Sequence, residues 1–203
     1  MDPRQLRTRH RLRETMYRLA AGKPIEQITV AEVAREAGVT RDTVYRHGAD
    51  PVRLLAGFLG EELQELIARS TTGLPASVAR GGTVFDDAER ELLAHIVRHA
   101  EIYRNALGSR LIGPVRDVLI DSIAGGLHEH LAAHPQIAPS ADPRIPADLH
   151  AKMLVAYASA GTVAAIEEWL RTGDLSKADA AARTVLAASP SWWLGVLSAD
   201  RPE

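Results

Sequence analysis

The sequence of 203 residues contains no cysteine. This absence excludes disulfides, a thiol nucleophile and any zinc site built from cysteine thiolates. Runs of β-branched residues with a two-residue period are also missing, and alanine-rich stretches with helical spacing dominate instead. No phosphate-binding glycine loop, nucleophile elbow or HExxH motif is present, so the enzyme classes that these motifs mark find no support. We therefore expect an all-α protein that is not an enzyme, with no cofactor and no metal.

The chain also lacks a signal-peptide pattern. Its first twenty residues read MDPRQLRTRHRLRETMYRLA and are too charged to form the apolar centre that such a peptide needs. No run of apolar residues looks long enough to cross a membrane. We expect a cytoplasmic protein without a membrane partner.

Acidic and basic residues are unevenly distributed, although the net charge is only −2. Residues 1–50 carry ten Lys and Arg against seven Asp and Glu, a net of +3, while the remainder carries 14 against 19, a net of −5. A basic N-terminal part on an acidic body is the asymmetry expected where one end of a protein meets a polyanion. A solvated helix face would give the same charge pattern, so charge alone does not decide between the two.

The segment ITVAEVAREAGVTRDTVYRHG, residues 28–48, has the pattern of two short helices joined by a tight turn. Thr29 begins the first helix as a capping threonine, and Glu32 stands where it would complete a capping box. Gly38 suits the left-handed residue that ends this helix, and Thr40 caps the next one. A preceding helix offers an apolar stripe against which the pair can pack, formed by Leu12, Met16 and Leu19. The pattern predicts a helix-turn-helix.

The second of these short helices is rich in hydrogen-bond donors. Such side chains can donate to phosphate oxygens, and an arginine can also donate two hydrogen bonds to a guanine in the major groove. The free N–H groups at the start of the helix attract anions as well. The donors are Thr40, Arg41, Thr43, Tyr45, Arg46 and His47. They predict a recognition helix; the alternative is a helical enzyme or ligand carrier in which the helix-turn-helix is only a scaffold.

Residues 4–59, which include ITVAEVAREAGVTRDTVYRHGADPVRLLAGFL, resemble the DNA-binding domain of the tetracycline-repressor (TetR) family. The resemblance implies an all-α fold with an N-terminal three-helix helix-turn-helix DNA-binding domain, residues 1–50. A larger helical ligand-binding and dimerisation domain would follow, residues 51–203. The implied function is ligand-responsive transcriptional regulation, with repression expected: a homodimer would bind a palindromic double-stranded DNA operator and be released by a small-molecule effector.

The same resemblance assigns roles to individual residues. Those that match positions contacting the phosphates or facing the backbone of DNA are Thr29, Thr40, Tyr45 and His47. Those that match base-reading positions are Arg41, Asp42 and Thr43, and Arg46 shares their exposed helix. The sequence departs from the family at Gly48, where an aromatic residue is usual, and at Pro51, where a lysine is frequent. We expect Arg53 to replace part of the lost lysine contact.

Small residues recur every four positions in one long predicted helix of the body, at Ala156, Ala160 and Ala164. Small side chains allow two helices to approach closely. In the resembled family, the last two long helices of each subunit form the dimer interface, so we expect a homodimer here. Packing within one subunit is the alternative.

Polar and aromatic residues of the body helices are candidates for a ligand pocket, which is typically apolar with a few placed polar groups. They are His95, Tyr103, His128, Met153, Tyr157 and Trp169, each of which could equally be a core or surface residue. The pairs His95 with His99 and His130 with His134 have a spacing that can place two imidazoles on one metal. Because two ligands do not make a site, no metal site is predicted.

Overall fold

All regular secondary structure that the structure describes is helical. The computed structural model describes residues 3–70, 85–108, 112–133, 135–140 and 142–189. In these ranges the helices are α1 (Pro3–Gly22), α2 (Val30–Ala37), α3 (Arg41–His47), α4 (Pro51–Ser70), α5 (Asp86–Arg98), α6 (Ala100–Ala106), α7 (Gly113–Ala133), α8 (Ala147–Arg171) and α9 (Ala178–Ala188), with short 3-10 turns at Ile25–Gln27 and Pro135–Ile137. The all-α expectation is confirmed.

The chain divides into two compact units. The head unit consists of Met1–Glu62 together with Arg98–Val118, and the body unit consists of Leu63–Val97 together with Leu119–Glu203. The head unit therefore contains the helix-turn-helix, the first half of α4, and α6. The division into domains at residues 1–50 and 51–203 stays a prediction.

The head unit is built on the apolar stripe that the sequence predicts. Leu12 and Met16 of α1 are fully buried, as are Val33 of α2 and Val44 of α3. Burial of a side chain of this size contributes roughly 1.5–3 kcal/mol. Because α2 has eight residues and α3 seven, neither would be stable as an isolated helix. Their stability comes from packing, of α2 against α1 and of α3 against α2.

Both predicted caps form. The Thr29 side chain accepts a hydrogen bond from the Glu32 backbone N–H at 3.2 Å, and Gly38 ends α2 in the left-handed conformation with φ 63°. Thr40 in turn accepts from the Thr43 backbone N–H at 3.2 Å. Caps of this kind are worth about 1 kcal/mol each. They fix where α2 ends and α3 begins.

Gly48 lies where the chain passes directly over α4. A Cβ atom added at Gly48 would stand 2.9 Å from both the Cα and the Cβ of Leu54. Its φ of −171° is extended backbone, so the requirement for glycine comes from space and not from backbone strain. The absence of the aromatic residue usual at this position therefore has a steric reason: the backbone itself packs on α4.

The long helix α8 corrects one expectation. By length and composition it is able to cross a membrane, whereas the sequence analysis predicts no such run. Seven alanines, together with leucine, valine, isoleucine and methionine side chains, keep the hydropathy of this helix positive, and polar residues between them interrupt any continuous apolar run. A core helix of a helical domain passes the same test, so length and hydropathy alone do not place α8 in a membrane.

Replacing Gly48 by alanine is expected to destabilise the protein by about 1–3 kcal/mol, because the new methyl group overlaps the backbone of Leu54 and the helices must separate. Thermal unfolding would measure the change. Gly57→Ala, within α4, is the matched control: nothing lies within 4 Å of a Cβ there, so alanine should raise stability by about 0.5–1 kcal/mol. Equal effects of the two substitutions would show that Gly48 is not held against α4.

Candidate nucleic-acid interface

The helix α3 exposes nearly all of its side chains. Val44 is its one buried residue among the seven. Arg41, Asp42, Tyr45 and Arg46 are exposed, Tyr45 by 56%. A helix that buries a single side chain leaves the others available to an external partner. The predicted polar face is therefore a surface of the molecule and not part of its core.

Several side chains on this face are linked to one another. Thr43 Oγ1 lies 2.9 Å from Thr40 Oγ1 and accepts from Arg46 Nη2 at 3.3 Å. Arg46 also forms an exposed ion pair with Asp42, one turn away, at 3.2 Å. An exposed pair of this type contributes little stability. Its effect is to orient Asp42, Thr43 and Arg46 on one face while leaving them accessible.

His47, at the end of α3, is held by a residue that sequence reasoning missed. Arg9 Nη1 of α1 lies 3.5 Å from His47 Nδ1. Because a guanidinium can only donate, Nδ1 is the acceptor and the ring proton is on Nε2. Burial, followed by the charges of Arg9 and Arg46, lowers the pKa of His47 below its usual value. His47 is therefore neutral near pH 7 and keeps an Nε2–H donor.

Arg9 itself connects three helices of the head unit. Besides the contact with His47, its guanidinium lies 5.3 Å from the centre of the Phe58 ring and pairs with Glu61, both on α4. A guanidinium over an aromatic face is attracted by the ring quadrupole. The sequence contains no local signal for this contact, because Arg9 and α4 are far apart in the chain.

The start of α2 has its own polar group. Thr29 is exposed, and the neighbouring Glu32 carboxylate accepts from Lys23 Nζ at 2.9 and 2.7 Å. The hydrogen bond to Lys23 and, to a lesser extent, the backbone N–H of Thr29 lower the pKa of Glu32. A contact between the Glu32 carboxylate and the backbone N–H of Thr29 is what the predicted capping box requires. Glu32 therefore neutralises Lys23 beside the start of α2, the end of this helix that is predicted to face the DNA backbone.

Two basic residues are placed differently from one another. Arg18 of the predicted basic arm pairs with Glu36 of α2 at 3.0 Å, so its charge is partly used within the head unit. Arg53 stands at the start of α4, where Asp50 accepts its backbone N–H at 2.8 Å as an N-cap. The Arg53 side chain is 68% exposed. It is therefore accessible, two residues beyond Pro51, the position where the resembled family often has a lysine.

A second polar network joins α6 to α1 and α4 inside the head unit. Tyr17 donates to Glu62 Oε1 at 3.0 Å, and His99 Nε2 lies 2.9 Å from Glu62 Oε2. The Asn105 side-chain amide donates to the backbone carbonyls of Ala20 and Ala21 at 2.8 and 3.0 Å. These carbonyls belong to the last turn of α1, where the backbone carbonyl groups of a helix have no hydrogen-bond partners within the helix. Asn105 therefore caps the helix on which the helix-turn-helix is built.

The predicted pocket residues are not placed alike. Tyr103 is fully buried in the head unit, whereas the others belong to the body unit. There His95 is buried, Trp169 is half-buried and His128 is exposed. Met153 and Tyr157 are 54% and 75% exposed on α8. The pocket assignment stays a prediction, and His134 of the second histidine pair lies outside the described residues.

Solved structures share this arrangement of helices. A TetR-family transcriptional regulator from Streptomyces coelicolor has a TM-score of 0.58, with 15% identity, over 100% of this chain and 92% of its own. Its fold is shared by this chain. The fold is that of the TetR-family transcriptional regulators. The dihydroxyacetone kinase operon activator DhaS is also similar, with a TM-score of 0.57 and 15% identity over 90% of this chain and 96% of its own.

Sequence similarity to curated proteins covers part of the chain. An uncharacterized helix-turn-helix-type transcriptional regulator from Mycobacterium tuberculosis is 31% identical over 106 residues, which are 51% of this chain and 56% of that protein. A regulator of the same description from Mycobacterium bovis matches to the same extent. The chain thus spans about half the length of the curated relatives it matches. No sequence-family model matches it.

The sequence predicts that Tyr45 contacts a DNA phosphate. On that prediction, Tyr45→Phe is expected to weaken binding of any DNA sequence about equally, by roughly 0.5–1.5 kcal/mol, because one hydrogen bond is lost. The melting temperature should not change, since the side chain is exposed and Val44 is the buried neighbour. Fluorescence anisotropy with two unrelated duplexes would measure the affinity. A drop of many degrees in melting temperature with unchanged DNA affinity would instead assign Tyr45 to packing.

Proposed function

We propose that the protein is a DNA-binding transcriptional regulator that reads its operator with α3. The observation that carries the proposal is the exposed polar face of α3, held in place by one buried valine, two caps and Arg9. On this face, Arg41, Asp42 and Thr43 read base edges. Thr40, Tyr45 and His47 contact phosphates, and His47 does so through its neutral Nε2–H.

Arg41 is the residue best suited to direct base readout. It is the first residue of α3 and is exposed. In contrast to Arg18 and Arg46, it has no hydrogen bond or ion pair within residues 3–70 and the other described ranges. A guanidinium without an internal partner loses no ion pair when it donates two hydrogen bonds to guanine.

Arg41→Ala is expected to cost about 1–3 kcal/mol on the preferred operator and to relax sequence preference at one or two positions. DNA upstream of the protein's own gene would be tested first for binding. The preferred sequence would then be selected from a random duplex library, and its affinity would be measured by fluorescence anisotropy. Arg53→Ala is the matched control, because Arg53 is proposed to contact only the backbone and should weaken all sequences alike. If both variants lose affinity uniformly on every sequence, α3 does not read bases through Arg41.

The regulator is proposed to act as a homodimer joined through α8. Along one face of this helix, Leu149, Met153 and Tyr157 are 46%, 54% and 75% exposed in the single chain. Ala156 and Ala164 are exposed on the same helix. Large apolar side chains exposed together mark a surface that a partner covers. The small residues would let a second α8 approach closely, and a pair of heads would match two half-sites of a palindromic operator.

Tyr157→Arg is expected to separate the dimer and to abolish tight operator binding, because two like charges and two long side chains would meet at the interface. Weak, salt-sensitive binding by one head should remain, since the gain from two linked heads is what is lost. Sedimentation velocity would report the assembly. Lys152→Ala, at an exposed polar position of the same helix, is the control. A Tyr157→Arg variant that stays dimeric would place the interface elsewhere.

Repression relieved by a small-molecule effector is proposed as the mode of regulation. The supporting observation lies within the head unit, where Asn105 of α6 caps the end of α1 and Glu62 of α4 holds Tyr17 and His99. A shift of α6 would act on α1 through these bonds, and a coupling of about 1–3 kcal/mol is enough for release. Because one fold neighbour is named an operon activator, a reporter gene under the operator decides the sign: repression predicts higher expression when the regulator is deleted.

A helical carrier or enzyme is the rival function. It accounts for the helical body but gives no reason for the exposed donors of α3. A protein of that kind would show no sequence preference in the library selection, which therefore separates the two functions.

A further inference from the structure

The two arms of the Arg9 guanidinium are bound to two different helices. Nη1 lies 3.5 Å from His47 Nδ1 at the end of α3, and Nη2 pairs with the Glu61 carboxylate on α4. The central carbon of the group lies over the Phe58 ring, 5.3 Å from its centre. Because a guanidinium is a rigid planar fork, contacts in these different directions determine its position. Arg9 is therefore held at a fixed place beside the His47 ring.

These contacts make Arg9 a poor candidate for a direct contact with DNA. Its side chain is only 31% exposed, and both arms of the fork have partners within the head unit. A phosphate bound to the same arms would compete with His47 and Glu61. An influence of Arg9 on DNA binding is therefore expected to pass through a neighbour. His47 is the neighbour that the proposed function places against a phosphate.

Arg9 acts on the His47 ring in two ways. It donates to Nδ1, which leaves the ring proton on Nε2, at the opposite edge of the ring. Its charge also disfavours the protonated ring: burial, then Arg9 of α1, then Arg46 of α3 lower the pKa of His47. No carboxylate among the described residues contributes to this shift, since Glu61 of α4 is bound to the other arm of Arg9. A phosphate beside Nε2 would favour the imidazolium, and Arg9 opposes that change.

We propose that Arg9 is a positioning residue for DNA binding that holds His47 as a neutral Nε2–H donor beside the phosphate. The consequence is a DNA affinity that does not depend on pH across the neutral range. The inference deepens the proposed function and rests on it for the contact between His47 and DNA. Without Arg9, the phosphate would stabilise the imidazolium, and binding would take up a proton. Affinity would then rise as pH falls, because the complex would hold more protons than the free protein.

The pH dependence of DNA affinity tests this role, measured by fluorescence anisotropy with the selected operator at constant ionic strength. Between about pH 6 and about pH 8, the affinity of the wild-type chain should change by less than about twofold. Arg9→Met keeps an apolar side chain beside Phe58 and removes the charge. This variant should bind about tenfold more tightly at the lower pH than at the higher one. Arg9→Gln also removes the charge and should behave in the same way if Arg9→Met does not fold.

Two further variants show whether Arg9 acts through His47. His47→Gln has no ring to titrate, so adding Arg9→Met to it should leave its pH profile unchanged. Arg7→Met removes an exposed charge from α1 and should weaken binding by the same factor at every pH. If Arg9→Met behaves like Arg7→Met, Arg9 is only a phosphate contact and the proposal is wrong. A wild-type chain as dependent on pH as Arg9→Met would overturn it as well.

NMR of the imidazole nitrogens gives a readout that needs no DNA. In the free full chain, it reports which ring nitrogen of His47 carries the proton and at what pH the ring titrates. We expect the Nε2–H tautomer in wild type, and a higher titration pH with a mixture of tautomers in Arg9→Met. His47→Gln identifies the signals of this ring.

The same spectra separate failure of the inference from failure of the proposed function. An Nδ1–H tautomer in wild type, or the same titration pH in wild type and Arg9→Met, would overturn the role of Arg9 even if DNA binds. The expected ring signals together with no binding of any duplex would overturn the proposed function. The role of Arg9 in DNA binding would be lost with it, while its contact with His47 would stand.

Discussion

The burial of one side chain, Val44, holds the short helix α3 in the head unit. A helix of seven residues cannot persist in water by its own hydrogen bonds. Val44 is fully buried, and the cap at Thr40 together with the close approach of Gly48 to Leu54 fixes both ends of the helix. Because one residue carries the packing, the other six can be chosen for what they bind. This division between a packing residue and binding residues is what a recognition helix requires.

The electrostatic arrangement of the head unit follows the same logic. Glu32 and Glu36 neutralise Lys23 and Arg18, so that part of the basic excess of the first 50 residues is used for folding. Arg41 is exposed without a described partner at the start of α3, whereas Arg53, exposed at the start of α4, pairs with Asp50 at 3.6 Å. The lowered pKa of His47 keeps this residue uncharged near pH 7, so it contributes a hydrogen bond and no net charge to the free surface.

Local signals of the sequence predicted the head unit well. The caps at Thr29 and Thr40, the left-handed Gly38 and the stripe of Leu12 and Met16 depend on residues close in the chain or repeated with helical period, and all are found as expected. The exposure of the α3 donors followed from the same period. The apolar character of α8 is not evident from the sequence, because its alanines and larger apolar residues alternate with polar ones and form no continuous apolar run.

Contacts between distant residues could not be predicted in this way. Arg9 meets His47 across 38 positions, and Asn105 reaches Ala20 across 85, and no periodicity in one sequence links such pairs. Gly48 was recognised as a departure from the family, but its cause, the closeness of Leu54, is visible only in three dimensions. Glu89 of α5 is buried, but an acidic residue in a helix is ordinary, and the sequence contains no sign of its burial.

The central claim is that the α3 face binds the phosphate backbone and base edges of duplex DNA. The most direct test is the salt dependence of DNA binding by the wild-type chain, measured by anisotropy over a series of salt concentrations. Displacement of counterions from the backbone predicts that the logarithm of the binding constant falls linearly and steeply with the logarithm of salt, by roughly 0.9 for each phosphate neutralised. The protein should also bind the selected operator more tightly than random DNA at every salt concentration. An affinity that does not change with salt, or no measurable DNA binding at low salt, would contradict the account.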